Sequence, residues 1–145
     1  MKDLKRWVVA AMLWAVVQPV STAVVQPAGL PKGYEAVPLG QIRVTHYTHH
    51  ETGSRLTASG YRLTDADEGR VCAISRDWWR RRVKPGDLVW IEGQSAPCVA
   101  RDTMALRNRK GLPQRRWIDV YYTNRQAAYD WGIHHATAYI LKPVH

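Results

Sequence analysis

The chain has 145 residues, of which 46% are hydrophobic, enough for one domain with a packed core. Its formal charge is +9, with 21 Lys and Arg against 12 Asp and Glu, which points to an anionic partner: nucleic acid, anionic lipid or bacterial cell wall. Phe is absent while Trp and Tyr each occur seven times, giving large flat surfaces with a polar handle.

The N-terminus opens with a short basic segment (Lys2, Lys5, Arg6), continues as an apolar run from Trp7 to Val17, and reaches small residues at Ser21 and Ala23. That order predicts a secretory signal peptide over residues 1–23, cut after Ala23, and the run is too short to span a bilayer comfortably. Export places the protein in the periplasm or outside the cell and removes cytosolic nucleic acid from the partners. No stable membrane span is expected once the signal is cut, and the mature chain is expected to be a monomer.

Residues 24–40 are rich in proline and glycine and read as a linker or extended arm. The domain proper is expected over 41–143. QIRVTHYT alternates as a strand, with Ile42 and Val44 on one face. The polar stretch HHETGSRLTASG follows as a loop. RVCAIS, DLVWIE, PCVARD, WIDVYY and ATAYILK read as further short strands, and KPGD as a turn. SRDWWRRR reads as a short helix capped by Ser75, and TNRQAAYDWG as a second, from Thr123 to a stop at Gly132. About six short strands with two small helices predict a mainly β fold closed as a barrel.

Cys72 and Cys98 sit in two of these strands. Export permits a disulfide between them; the alternative is two small buried residues, since spacing does not give their distance. His46, His49 and His50 with Glu51 match no closed metal site, so neither metal nor cofactor is expected.

Asp119 stands inside a strand, where Asp is depleted. Alternation puts Trp117, Asp119 and Tyr121 on one face of it. The carboxylate is either tied down to backbone amides or carries chemistry.

The ordered series VTHYT, TASG, CAISRD, KPGDLVWIEG, VARDTM, WIDVYY, AAYDWGI and ATAYIL resembles the three-aspartate (3D) domain, over about residues 42–142. That domain is a six-stranded double-psi β-barrel of A-type membrane-bound lytic murein transglycosylases and stationary-phase cell-wall proteins. The resemblance implies cleavage of the MurNAc–GlcNAc bond of peptidoglycan glycan strands with a 1,6-anhydro product. It puts Asp119 at the catalytic position and Asp102, which opens the family's D-T-G segment, in a supporting role. Ser75 falls where the family has its first aspartate, and Met104 where it has the glycine. Tyr47, Thr57, Ser59, Arg101, Trp117 and Tyr121 are the expected substrate-binding residues. The arginine-rich segment with Arg107, Arg109, Arg115 and Arg116 is longer than the family's usual loop. A non-catalytic basic module on the same barrel, binding peptidoglycan or lipopolysaccharide, is the alternative.

Overall fold

A computed structural model describes residues 26–145; the expected signal peptide lies outside them. Six strands form a closed barrel: β1 (Tyr34–Tyr47), β2 (Val71–Ile74), β3 (Leu88–Ile91), β4 (Cys98–Thr103), β5 (Trp117–Tyr121) and β6 (His134–Pro143). Around the barrel the order is β1-β5-β2-β4-β3-β6, with β6 returning to β1. β1 runs parallel to β5 and β2 parallel to β4, while the other neighbours are antiparallel. A meander cannot make those parallel pairs, so the chain crosses over the barrel. The two helices are short, α1 (His49–Thr52) and α2 (Arg125–Trp131).

Alternation along each strand sorts the side chains. Ile42, Val44, Cys72, Ile74, Val89, Ala100, Ile118, Val120 and Ile140 fill the barrel interior. The opposite faces of β1, β2 and β5 present Tyr47, Ala73, Trp117 and Tyr121 outward. There Leu63 and Met104 cover them as a second cluster. Cys72 and Cys98 are disulfide-bonded, with Cα atoms 5.7 Å apart, and the bond ties β2 to its neighbour β4 inside the core.

Two sequence expectations need correction. The arm assigned to 24–40 is half strand: Tyr34–Gly40 pairs with β6, and Ala36 and Leu39 are buried. Pro38 and Gly40 do not break the strand but flank a shift in its register, and Gly40 supplies the positive φ of 100° there. Proline and glycine tolerated at a bulge look the same in sequence as a linker.

The helix expected at SRDWWRRR does not form. Ser75 O accepts from the N–H groups of Trp78 and Trp79, and Trp78 O from those of Arg81, Arg82 and Val83, so the segment is a series of turns. Arg80 sits at φ 61°, in the left-handed region that interrupts a right-handed helix. Trp78 is buried against the core, and Trp79 packs beside it. The second helix forms but starts two residues later than expected, at Arg125, with Asn124 as its N-cap accepting from Ala127 N–H at 2.9 Å.

Candidate active site

Strand register assembles the site. Thr45 of β1 pairs with Asp119 of β5, Asp119 pairs with Ala73 of β2, and Ala73 pairs with Asp102 of β4. One row of residues thus runs across four strands on the outer face of the barrel. At about 4.8 Å per strand the two aspartates stand roughly 10 Å apart at Cα, with only an alanine methyl between them. A bulge makes this possible. Cys72 pairs with Ala100 but Ala73 pairs with Asp102, so Arg101 is the extra residue. Without it, alternation would turn Asp102 toward the core.

Above the row lies a cavity of 410 Å³. Asp119, Ala73 and Asp102 line it together with Tyr47 and Glu51, with Met104 and Arg107 of the long loop, and with Arg125 and Tyr129 of α2. The last two are four apart and therefore share a helix face. Asp119 is half-buried between the covered aromatics Trp117 and Tyr121.

Its polar environment is sparse. Thr45 Oγ1–H donates to Asp119 Oδ1 at 2.9 Å, and Trp117 Nε1–H donates to Thr45 Oγ1 at 2.8 Å, which orients the hydroxyl toward the carboxylate. Asp119 makes no ion pair; among the described residues the one ion pair is Arg55 with Asp65. Burial therefore dominates. It pushes the Asp119 carboxyl up from 3.8 to about 7, against the pull of the Thr45 hydrogen bond and with help from the negative charges of Glu51 and Asp102. The loop arginines line the cavity without neutralising its floor.

Asp102 has a second occupation. Its Oδ1 accepts from Ala58 N–H and Thr103 N–H, each at 2.9 Å, and Ser59 N–H donates to Arg101 O, so β4 holds the TASG turn in place. Burial raises its pKa, and the two amide bonds oppose that rise. Tyr47 lines the cavity, but its hydroxyl is buried and has no partner among the described residues.

Five of the expected substrate-binding residues do not line the cavity. Thr57 Oγ1 meets Ser59 Oγ at 3.1 Å and accepts from Tyr61 N–H, so both hydroxyls serve the turn that ends at Gly60, φ 83°. The Arg101 guanidinium lies 5.0 Å over the Tyr61 ring. Trp117 is spent on Thr45, and Tyr121 OH lies 3.0 Å from His49 Nδ1. Their role is to support the cavity floor and rim.

Ser75 is fully buried and structural: its N–H donates to Trp117 O and its Oγ accepts from Trp117 N–H. Asp77 is not in the first turn of a helix; its Oδ2 accepts from Arg116 N–H at 3.3 Å. The histidines do not gather either, since His46 stacks between Tyr122 and Trp131 at 3.9 and 3.8 Å, apart from the His49–His50 pair.

Glu51, weighed from sequence only with the histidines as a metal site, instead lines the cavity with Asp119; Thr48-x-x-Glu51 is a helix-start pattern, and Glu51 Oε2 accepts from Thr48 N–H at 3.0 Å. Thr45 had no readable signal, because only the parallel β1–β5 register brings it to Asp119.

No family model matches the chain, and no curated protein matches it significantly.

Proposed function

We propose that the chain is an exported peptidoglycan-cleaving enzyme of the lytic transglycosylase type, as its resemblance to the 3D domain implies, with Asp119 as the single acid and base. One observation carries this reading. Asp119 lies at the floor of an open cavity, unpaired with any arginine among the described residues, with its pKa raised to about 7. A carboxyl that only held the barrel together would be expected to be covered or ion-paired.

The chemistry needs one proton moved twice. Protonated Asp119 gives its proton to the glycosidic oxygen between MurNAc and GlcNAc as the C1–O bond breaks. Positive charge grows at C1 of MurNAc, and the carboxylates of Glu51 and Asp102 on the same cavity wall favour it. The C6 hydroxyl oxygen then attacks C1, and Asp119, now a carboxylate, takes the hydroxyl proton. The 1,6-anhydro ring closes, Asp119 is protonated again, and no water is consumed. Glycosidases that use water generally divide this work between two carboxyl groups; here the sugar brings its own nucleophile. A pKa near 7 leaves about half of the acid protonated at pH 7 and most of it below, while its conjugate base stays strong enough to accept the second proton.

The Cys72–Cys98 disulfide favours an oxidising compartment outside the cytoplasm. The test is direct. Residues 24–145 are incubated with purified murein sacculi, and the soluble products are examined by mass spectrometry. Anhydro-muropeptides are expected. Their absence, with the protein bound to the sacculi, would leave a non-catalytic wall-binding module.

A further inference from the structure

A second groove, of 710 Å³, lies beside the first between the 75–83 turns and the 104–116 loop. Six arginines line it: Arg76, Arg81, Arg82, Arg107, Arg115 and Arg116. The single carboxylate there, Asp77, is engaged by Arg116 N–H, and none of the six guanidiniums is ion-paired among the described residues. We propose that this groove binds the stem-peptide carboxylates of the peptidoglycan strand whose glycan occupies the Asp119 cavity, an inference that rests on the function proposed above.

Three observations support it. First, the groove is built and not a frayed charge run. The loop is a hairpin closed by an Arg107–Pro113 bridge, with Asn108 Oδ1 accepting from the N–H groups of Lys110 and Leu112. Second, several guanidiniums are pinned: Arg82 lies 5.2 Å over the Trp78 ring, Arg76 Nε–H donates to Met104 O, and Arg107 donates to Gly111 O. Pinning reduces the ordering cost of binding. Arg116 is even held at φ 48°, with its N–H on Asp77 and its O accepting from Arg43 N–H. Six like charges gathered around the single carboxylate of Asp77 repel one another, which an anionic ligand would relieve. The planar guanidinium fork takes a carboxylate through two parallel hydrogen bonds. Third, Arg107 and Gln114 line both the groove and the cavity, so the two are continuous. A glycan in the cavity would hang its peptides, attached through the MurNAc lactyl group, into the groove.

The test compares wild type with the double variant Arg81→Gln/Arg115→Gln. Neither side chain makes a hydrogen bond or ion pair among the described residues, and both are exposed, so the fold should survive. Binding is measured on intact sacculi and on glycan strands stripped of peptide by an amidase, with anhydro product followed separately. The variant is expected to bind intact sacculi roughly tenfold more weakly, as loss of charge-assisted hydrogen bonds implies, and to match wild type on stripped glycan. Equal binding of both proteins to intact sacculi overturns the proposal. So does a deficit that persists on stripped glycan, or one reproduced on phosphatidylglycerol vesicles, which would make the groove a sensor of bulk negative charge or of membrane. Peptide-dependent binding without anhydro product would retain the groove and sink the enzymatic reading; anhydro product without peptide dependence would do the reverse.

Discussion

Thr45 stands opposite Asp119 in the parallel β1–β5 register and donates its hydroxyl proton to the carboxylate at 2.9 Å, while Trp117 Nε1–H fixes the same hydroxyl from behind. The bond favours the charged form of Asp119 and opposes the effect of burial. Thr45→Val keeps the shape and removes the donor. The Asp119 pKa is expected to rise further, moving the fall of activity at alkaline pH upward. Leaving the Trp117 N–H unsatisfied is expected to cost about 1–3 kcal/mol of stability. A pH–rate profile that does not move would dissociate Thr45 from the titration.

Glu51 acts in the opposite sense. Its charge raises the Asp119 pKa, while its side chain accepts from Thr48 N–H at the start of α1. Glu51→Gln removes the charge and keeps an acceptor for that amide. The alkaline fall of activity should therefore move down in pH, with little change in melting temperature. A shift upward would mean that the helix start, not the charge, had been lost.

The barrel was legible because its strands obey a period of two. WIDVY placed Ile118 and Val120 in the core and Asp119 between Trp117 and Tyr121 on the other face, as alternation requires. Two kinds of feature escaped. Pro38 and Gly40 carry the composition of a linker but lie in a bulged strand, because tertiary pairing with β6 outweighs local preference. Arg80 has no residue-type signal for φ 61°, so the helix expected around it could not be ruled out locally. The site divides in the same way. Asp119 announced itself as a carboxylate in a strand, whereas Thr45, Ala73 and the bulge that turns Asp102 outward exist only through register between segments far apart in sequence.

The disulfide spans 26 positions and joins two buried strands. Closing a loop of that length restricts the unfolded chain by about 3–4 kcal/mol in the chain-entropy treatment. Cys72→Ser/Cys98→Ser is expected to lose about that much, with two buried hydroxyls adding to the cost. Melting with and without reductant, on wild type and variant, measures it. A wild-type curve indifferent to reductant under unfolding conditions would contradict the prediction.

His46 should make the fold acid-sensitive. Burial between Tyr122 and Trp131, helped by the positive charge of His134, lowers its pKa from 6.5 to about 4. Between those values the unfolded chain holds a proton that the folded chain rejects. This contribution is therefore fully present above pH 6.5 and is lost as pH falls toward 4. His46→Phe keeps a ring in the stack and removes the titration. Urea unfolding at pH 7 and pH 5 should show a smaller loss for the variant than for wild type; equal losses would place the acid sensitivity elsewhere.

Asp119→Asn separates catalysis from structure. The amide is nearly isosteric, and its oxygen can still accept from Thr45 Oγ1–H. It cannot give a proton to the glycosidic oxygen or take one from the C6 hydroxyl, so release of anhydro product should fall by about 10²- to 10⁴-fold, the usual worth of a placed acid–base group. Stability should change with a definite sign. The folded carboxyl titrates near 7 and the unfolded one near 3.8, so between those values the folded state holds the extra proton. Wild-type stability accordingly falls as pH rises from about 4 to about 7, because the buried charge must form. Asn carries no charge at any pH. Relative to wild type, the variant should gain stability between pH 5 and pH 8, while remaining inactive at both. Melting temperature and muropeptide release measured on the same samples decide the matter. A variant that is inactive yet gains stability with pH in this way fits an acid held protonated at the cavity floor. One that unfolds at both pH values would make Asp119 a structural acceptor, and one that still releases anhydro product would remove it from the chemistry.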